Sequence, residues 1–351
     1  MNQRTEAAGA PYYPPKPRPG DRVAVLSPAS GLPGLFPHVF DLGLERLRSE
    51  LGLEPVEYPT TRRMNAPARD RARDLVHAFT DPSIKAVLAS IGGEDQITVI
   101  PHLPADVLRA NPKPFFGFSD NTNLLHLLFE AGVVGYHGGS VMMHLGRPRG
   151  LHPMSAASLR AALFEAGPFE LGCASEFCDE TRNWEDPANL VLEPATREAR
   201  PWEWVNADSV VDGVGWGGNL EVLHWMLAAG RVDEVQADVL FLETSEELPG
   251  DVEVYRMLRN MGERGLLGGF GAVLFGRAKA WDLFRPPTSV EERTAYAEAQ
   301  RAAVMQALEE YNPTALAVFD LDIGHTDPQL VMPYGGRVRV DGPGRRVSVW
   351  Y

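Results

Sequence analysis

Three residues of this 351-residue chain could together supply a nucleophile, a base and an orienting acid: Ser119 in "PFFGFSDNTNLL", His325 in "DIGHTDPQL" and Glu243 in "VLFLETSEELPG". A serine hydroxyl is a weak nucleophile at neutral pH until an imidazole accepts its proton, and a carboxylate must hold the other ring nitrogen. Wide separation in sequence is no obstacle, because such triads are assembled by folding and occur in several chain orders. Ser119 follows the apolar run Phe115, Phe116 and Phe118 and precedes Leu124, Leu125, Leu127 and Leu128 at helical spacing, which places it on a strand-to-helix turn. A side chain there points off the carboxyl edge of a sheet, and the amides that follow can face developing negative charge. The same position suits a helix cap, which Ser119 or Asp120 could provide. "GFSDN" departs from the G-x-S-x-G elbow, and Asp320, Asp322 or Asp327 could partner His325 as readily as Glu243.

The remaining histidines and cysteines offer no rival chemistry. His126 lies on the helix behind Ser119, a core position, whereas His137 in "YHGGS" and His325 are expected in loops, where function concentrates. There is no H-E-x-x-H, and Cys173 and Cys178, the only two cysteines, cannot make a four-ligand zinc site. No metal is expected.

The elements that must position these groups follow from hydrophobic patterning. Residues 1–20 end in "PYYPPKPRPG" and read as an extended proline-rich arm. From 21 to 165, "RVAVLS", "IKAVLASIGG" and "PFFGFS" alternate with amphipathic helical stretches, the pattern of parallel βαβ units and a wound α/β domain. "SIGGED" and "GFSD" then fall at carboxyl ends of strands, where open α/β sheets place ligands, although "SIGGED" is no dinucleotide fingerprint. Residues 166–210 lose periodicity and carry Trp184, Trp202 and Trp204 among acids and prolines, either a loop over a site or the seam between two domains. Residues 211–351 read as a second, more β-rich domain: "VVDGVGWGGN" leads into a helix capped by Asn219, two further apolar strands follow, and a hairpin about Asp341-Gly342-Pro343-Gly344 closes the chain.

Composition limits the partners. With 33 Lys and Arg against 47 Asp and Glu, the net charge of −14 repels phosphate backbones and anionic membranes, so neither nucleic acid nor membrane is an expected partner. No stretch approaches the roughly 20 apolar residues that span a bilayer, and no basic-then-apolar leader is visible. A cytoplasmic location is expected.

"SIGGEDQ", "FFGFSDNTNLL", "GWGGNLEVLHWML", "LFLETSEE" and "IGHTDPQLVMPYG" stand in the order and approximate spacing of a known family. The chain resembles the LD-carboxypeptidases and microcin C self-immunity peptidases, a group of serine peptidases, from Arg22 to its end. The resemblance implies a wound α/β N-terminal domain carrying the serine, a β-rich C-terminal domain carrying the other two residues, and an active site between them. It implies a triad of Ser119, His325 and Glu243, with the amides of Gly93 and Asp120 as oxyanion hole. It also implies a homodimer without organic cofactor or metal, acting on a small-molecule substrate.

Within the family, one branch removes a terminal D-residue from murein tetrapeptides and the other cleaves an amide joining an aminoacyl group to a modified nucleotide. "LETSEELP", the tryptophan-bearing stretch and "IGGED" in place of R-G-G-Y-G resemble the immunity branch. That resemblance implies substrate binding by Trp184, Trp202, Asn219 and Glu246. The murein branch is the alternative, and a two-domain binding protein without catalysis is a second one.

Overall fold

The computed structural model describes residues 11–284, 286, 287 and 289–351. Residues 1–10 of the expected arm lie outside them. The described part of the arm is extended and packed: Tyr12 bridges Val133, the Tyr13 hydroxyl accepts from the Arg337 amide, and the Lys16 ammonium donates to the Tyr136 hydroxyl at 2.6 Å.

The first sheet has six strands in the order Met332–Tyr334, Gly135–His137, Phe115–Gly117, Ile84–Ala89, Arg22–Leu26, Glu54–Glu57. The last five run parallel and are joined through helices, as the alternation predicts. The side chains of the inner strands are almost wholly buried, since helices cover both faces of a parallel sheet, whereas the edge strand Glu54–Glu57 is partly exposed. The strand order reverses between Arg22–Leu26 and Ile84–Ala89. The loops after these two strands therefore diverge and leave a crevice at the carboxyl edge.

The second sheet has eight strands, with Val210–Asn219, Val239–Glu243, Ala272–Gly276 and Leu316–Leu321 parallel at its centre. Antiparallel strands finish both sides, including the hairpin Arg337–Asp341 and Arg346–Trp350 expected about Asp341-Gly342-Pro343-Gly344. The architecture is thus the two-part α/β fold anticipated, with the second part richer in strands. The units also exchange strands. Met332–Tyr334, from the second half of the chain, pairs with Gly135–His137 in the first sheet, while Pro168–Glu170 and Glu203–Val205 form opposite edges of the second. The segment 166–210 is therefore stitched into the second sheet at both ends and cannot be described as a loop alone.

Candidate active site

Ser119 sits where the strand Phe115–Gly117 ends and a single turn, Ser119–Asn121, leads into the helix Thr122–Glu130. It is half-buried and has φ of 61°, a left-handed conformation that costs a non-glycine residue on the order of 1–2 kcal/mol. Neither the turn nor the helix has a side-chain cap, so the capping role open to Ser119 and Asp120 is unfilled. Asp120 instead ties two loops together, accepting from the Gln96 amide at 2.8 Å and from Asn123 Nδ2 at 3.0 Å. Burial holds its carboxyl up at about 6.

Gly92 is needed beside this turn, because a Cβ there would lie 2.9 Å from Ser119 Cβ and 3.0 Å from its Oγ. The amides of Gly93 and Asp120 have no hydrogen-bond partner among the described residues, which leaves both free to donate. They are the proposed oxyanion donors.

His325 lies in the loop after Leu316–Leu321 and Glu243 ends the strand Val239–Glu243. The structure brings them together: Glu243 Oε2 is 2.5 Å from His325 Nδ1, with Glu243 fully buried. Gly324 makes this approach possible, since its φ is 87° and a Cβ would fall 2.4 Å from Glu243 Oε2. The aspartates that could have competed are engaged elsewhere, Asp320 with Arg301, Asp322 with Arg277 and Asp327 with Arg147. Burial works against a charge on both members of the pair. For Glu243 the charge and hydrogen bond of His325, with the imidazole of His137 nearby, outweigh it, holding the carboxyl down at about 2. For His325 the charges of Glu243 and Glu246 outweigh it, and the imidazole is pushed up to about 9.

Glu246 is the source of part of that shift, for its Oε2 lies 3.3 Å from His325 Nε2, the nitrogen that would have to serve Ser119. Ser119, His325 and Glu246 all line one cavity of about 650 Å³, at the crevice between the loops Ala29–Leu32 and Ile91–Asp95. His325 must be neutral to accept a proton, so activity rises with pH through its pKa. Glu246→Gln removes a carboxylate that favours the imidazolium. The acid limb of kcat/KM should therefore move to lower pH, by about half to one unit for a half-exposed partner. An unmoved limb would show that Glu246 does not act on His325 in solution.

A second cavity of about 620 Å³ opens on the other side of His325, lined by Phe36, Trp184, Arg147, Arg182 and Lys279 among others. Trp184 is half-buried, meets the Phe36 ring edge-on at 5.5 Å, and is pinned through its carbonyl by His38 Nε2 at 2.9 Å. Lys279 is 3% exposed, and its ammonium donates to the Asp179 carbonyl. Burial lowers its pKa and that of Arg182.

The other expected binding residues lie outside both cavities. The Trp202 indole donates to Asp322 Oδ2 at 3.2 Å, beside the buried Arg277–Asp322 pair, so its polar contact is made within the second half of the chain. Asn219 caps the helix Leu220–Ala228 through Oδ1 on the Val222 amide, and its Nδ2 is buried without a partner. His126 is a core residue, accepting from Trp216 Nε1 at 3.2 Å. His137 departs from expectation: it ends a strand instead of lying in a loop, fully buried. Both cysteines are free. No group of three or more His, Cys, Asp or Glu among the described residues is placed to hold a metal.

A serine on a strained strand-to-helix turn and the imidazole of a buried His–Glu pair face one cavity, an arrangement with the parts that a hydrolase needs. Residues 23–138 match the model of the LD-carboxypeptidase N-terminal domain and residues 212–340 that of the LD-carboxypeptidase C-terminal domain; the chain belongs to this peptidase family. Among curated relatives, the "Probable murein peptide carboxypeptidase" of Bacillus subtilis is 26% identical over 94% of this chain and 92% of its own. The microcin C7 self-immunity protein MccF of Escherichia coli is 23% identical, over 80% and 78% respectively. A solved structure of MccF in complex with aspartyl sulfamoyl adenosine superposes with a TM-score of 0.83 at 20% identity, covering 97% of this chain and 99% of that one. That likeness establishes the two-domain fold.

Proposed function

We propose that the chain is a serine amidase of the aminoacyl-nucleotide type, with Ser119 attacking the amide carbonyl, His325 carrying the proton from Ser119 Oγ to the leaving nitrogen, and Glu243 orienting the ring. The Gly93 and Asp120 amides stabilise the oxyanion. The observation that carries the substrate class is the second cavity, whose lining includes both the Trp184 indole and Lys279. That ammonium is buried with no carboxylate within ion-pair distance among the described residues. An aromatic base can stack on Trp184, and an anionic linker would add to the attraction that Glu246, Asp179 and Glu180 already exert on the buried ammonium. MccF's complex with an aminoacyl sulfamoyl adenosine supports the same reading. The murein relative favours a second one, removal of a terminal D-residue from a tetrapeptide. Incubation with an aminoacyl sulfamoyl adenosine and, separately, a murein tetrapeptide, with product release followed by chromatography, decides between them.

Trp184→Ala tests the cavity directly. Loss of one stacking platform should lower kcat/KM for the nucleotide substrate by about 1–3 kcal/mol, while a small amide lacking a base is almost unaffected. Trp202→Ala, which removes a donor from buried Asp322, should lower the melting temperature and affect both substrates alike. Equal losses on both substrates in Trp184→Ala would remove the stacking role.

A further inference from the structure

The Glu243 carboxylate has a second oxygen, and it is unaccounted for. Oε2 serves His325, but Oε1 is buried with no hydrogen-bond partner among the described residues. A buried orphan on a carboxylate is costly, since the acceptor has lost water and gained nothing. Facing Oε1 at 3.7 Å is His137 Nε2, itself buried and unpartnered. His137 is 0% exposed and its ring is wedged edge-on between Phe118, at 6.1 Å, and Phe241, at 5.6 Å. Two desolvated, complementary atoms therefore confront one another just beyond bonding range. About 0.7 Å of approach would complete an ordinary hydrogen bond.

Their origins give the contact meaning. His137 ends the strand paired with Phe115–Gly117, the strand that delivers Ser119, whereas Glu243 and His325 come from the second sheet. We propose that His137 is a positioning residue for the reaction, its Nε2–H holding Glu243 Oε1 so that Oε2 stays aligned with His325, thereby registering the acid of one sheet against the nucleophile of the other. The catalytic part of this inference rests on the serine amidase reading. The other titratable groups about the cluster are Glu246 on His325 Nε2, Glu221 behind Glu243, and His144 beside Phe118. None of these three has a hydrogen bond to Glu243 Oε1.

His137→Phe fills the ring's volume without a donor, and His137→Gln restores a donor at the position of Nε2. With an aminoacyl sulfamoyl adenosine as substrate, His137→Phe should lower kcat about 10- to 100-fold, the loss typical when the hydrogen-bond partner of a metal-bound histidine or carboxylate is removed. KM should change little, and His137→Gln should recover most of the loss. Equal impairment in both variants with lowered melting temperatures, or an unchanged kcat in His137→Phe, would overturn the proposal. A second readout needs no substrate: titration of the His325 ring by NMR on imidazole-labelled full-length chain. His137→Phe should displace the His325 midpoint by half a unit or more when Glu243 is present and leave it unmoved in a Glu243→Gln background. No displacement, or the same displacement in both backgrounds, means that His137 does not act through Glu243. Wild-type chain that hydrolyses neither substrate would count against the amidase reading, with the titration still judging the His137–Glu243 contact.

Discussion

Ser119→Ala is expected to abolish amide hydrolysis while leaving the protein folded. In serine hydrolases loss of the nucleophile costs about 10⁴ to 10⁶ in turnover. The structure separates this effect from stability unusually well. Ser119 Oγ makes no hydrogen bond among the described residues, caps no helix, and lines the 650 Å³ cavity, so its removal breaks no hydrogen bond among them. Alanine meets the same backbone strain at φ of 61° as serine does. The melting temperature should thus stay within a degree or two of the parent, in line with about 0.5 kcal/mol or less for such a change. A fluorophosphonate label should attach to the parent chain and not to the variant. Near-normal turnover in the purified variant would remove Ser119 from the mechanism and restore the binding-protein alternative.

The second large effect concerns the acid. Glu243→Gln should reduce turnover by about 10⁴, because an amide in that place no longer sets the tautomer and charge of His325. It should also lower the His325 pKa from its raised position, since the nearest charge that favours the imidazolium is gone. Asp322→Asn provides the contrast. Asp322 accepts from the Ala174 amide and the Trp202 indole and pairs with Arg277, so its loss should lower stability and leave turnover of the folded protein nearly intact. If Asp322→Asn or Asp327→Asn proved the more damaging to turnover, the acid role would pass to an aspartate.

The two cavities on either side of His325 suggest how one fold could serve both readings of its function. The cavity beside Ser119 contains backbone from the crevice of the first sheet and is fixed by the order of its strands. The other is bordered by residues of the segment 166–210 and by Lys279, which the sheets hold only at their margins. Change in such segments alters what is accepted without disturbing the reacting groups.

Local pattern alone determined much of this protein. Apolar runs bounded by small or polar residues gave Arg22–Leu26, Ile84–Ala89, Phe115–Gly117 and Val239–Glu243, and they put Ser119 and Glu243 at strand ends, because burial on both faces demands continuous hydrophobicity. The turn chemistry of Asp341 to Gly344 gave the closing hairpin for a similarly local reason. The helix Val290–Tyr311 and the strand Leu316–Leu321 were not read from the pattern. The helix mixes alanines with charges all round, and the strand LAVFDL carries an aspartate within its apolar run and leads into an aspartate-rich loop. Only the tertiary structure decided which carboxylate meets His325, since Glu243 and three aspartates are equivalent in composition and differ solely in what else surrounds them. It alone returned Met332–Tyr334 to the first sheet, placed Trp184 at a cavity and Trp202 against Asp322, and set His137 against Glu243. Each of these is a contact between residues remote in sequence, chosen by the packing of two sheets, and no periodicity within a single segment encodes it.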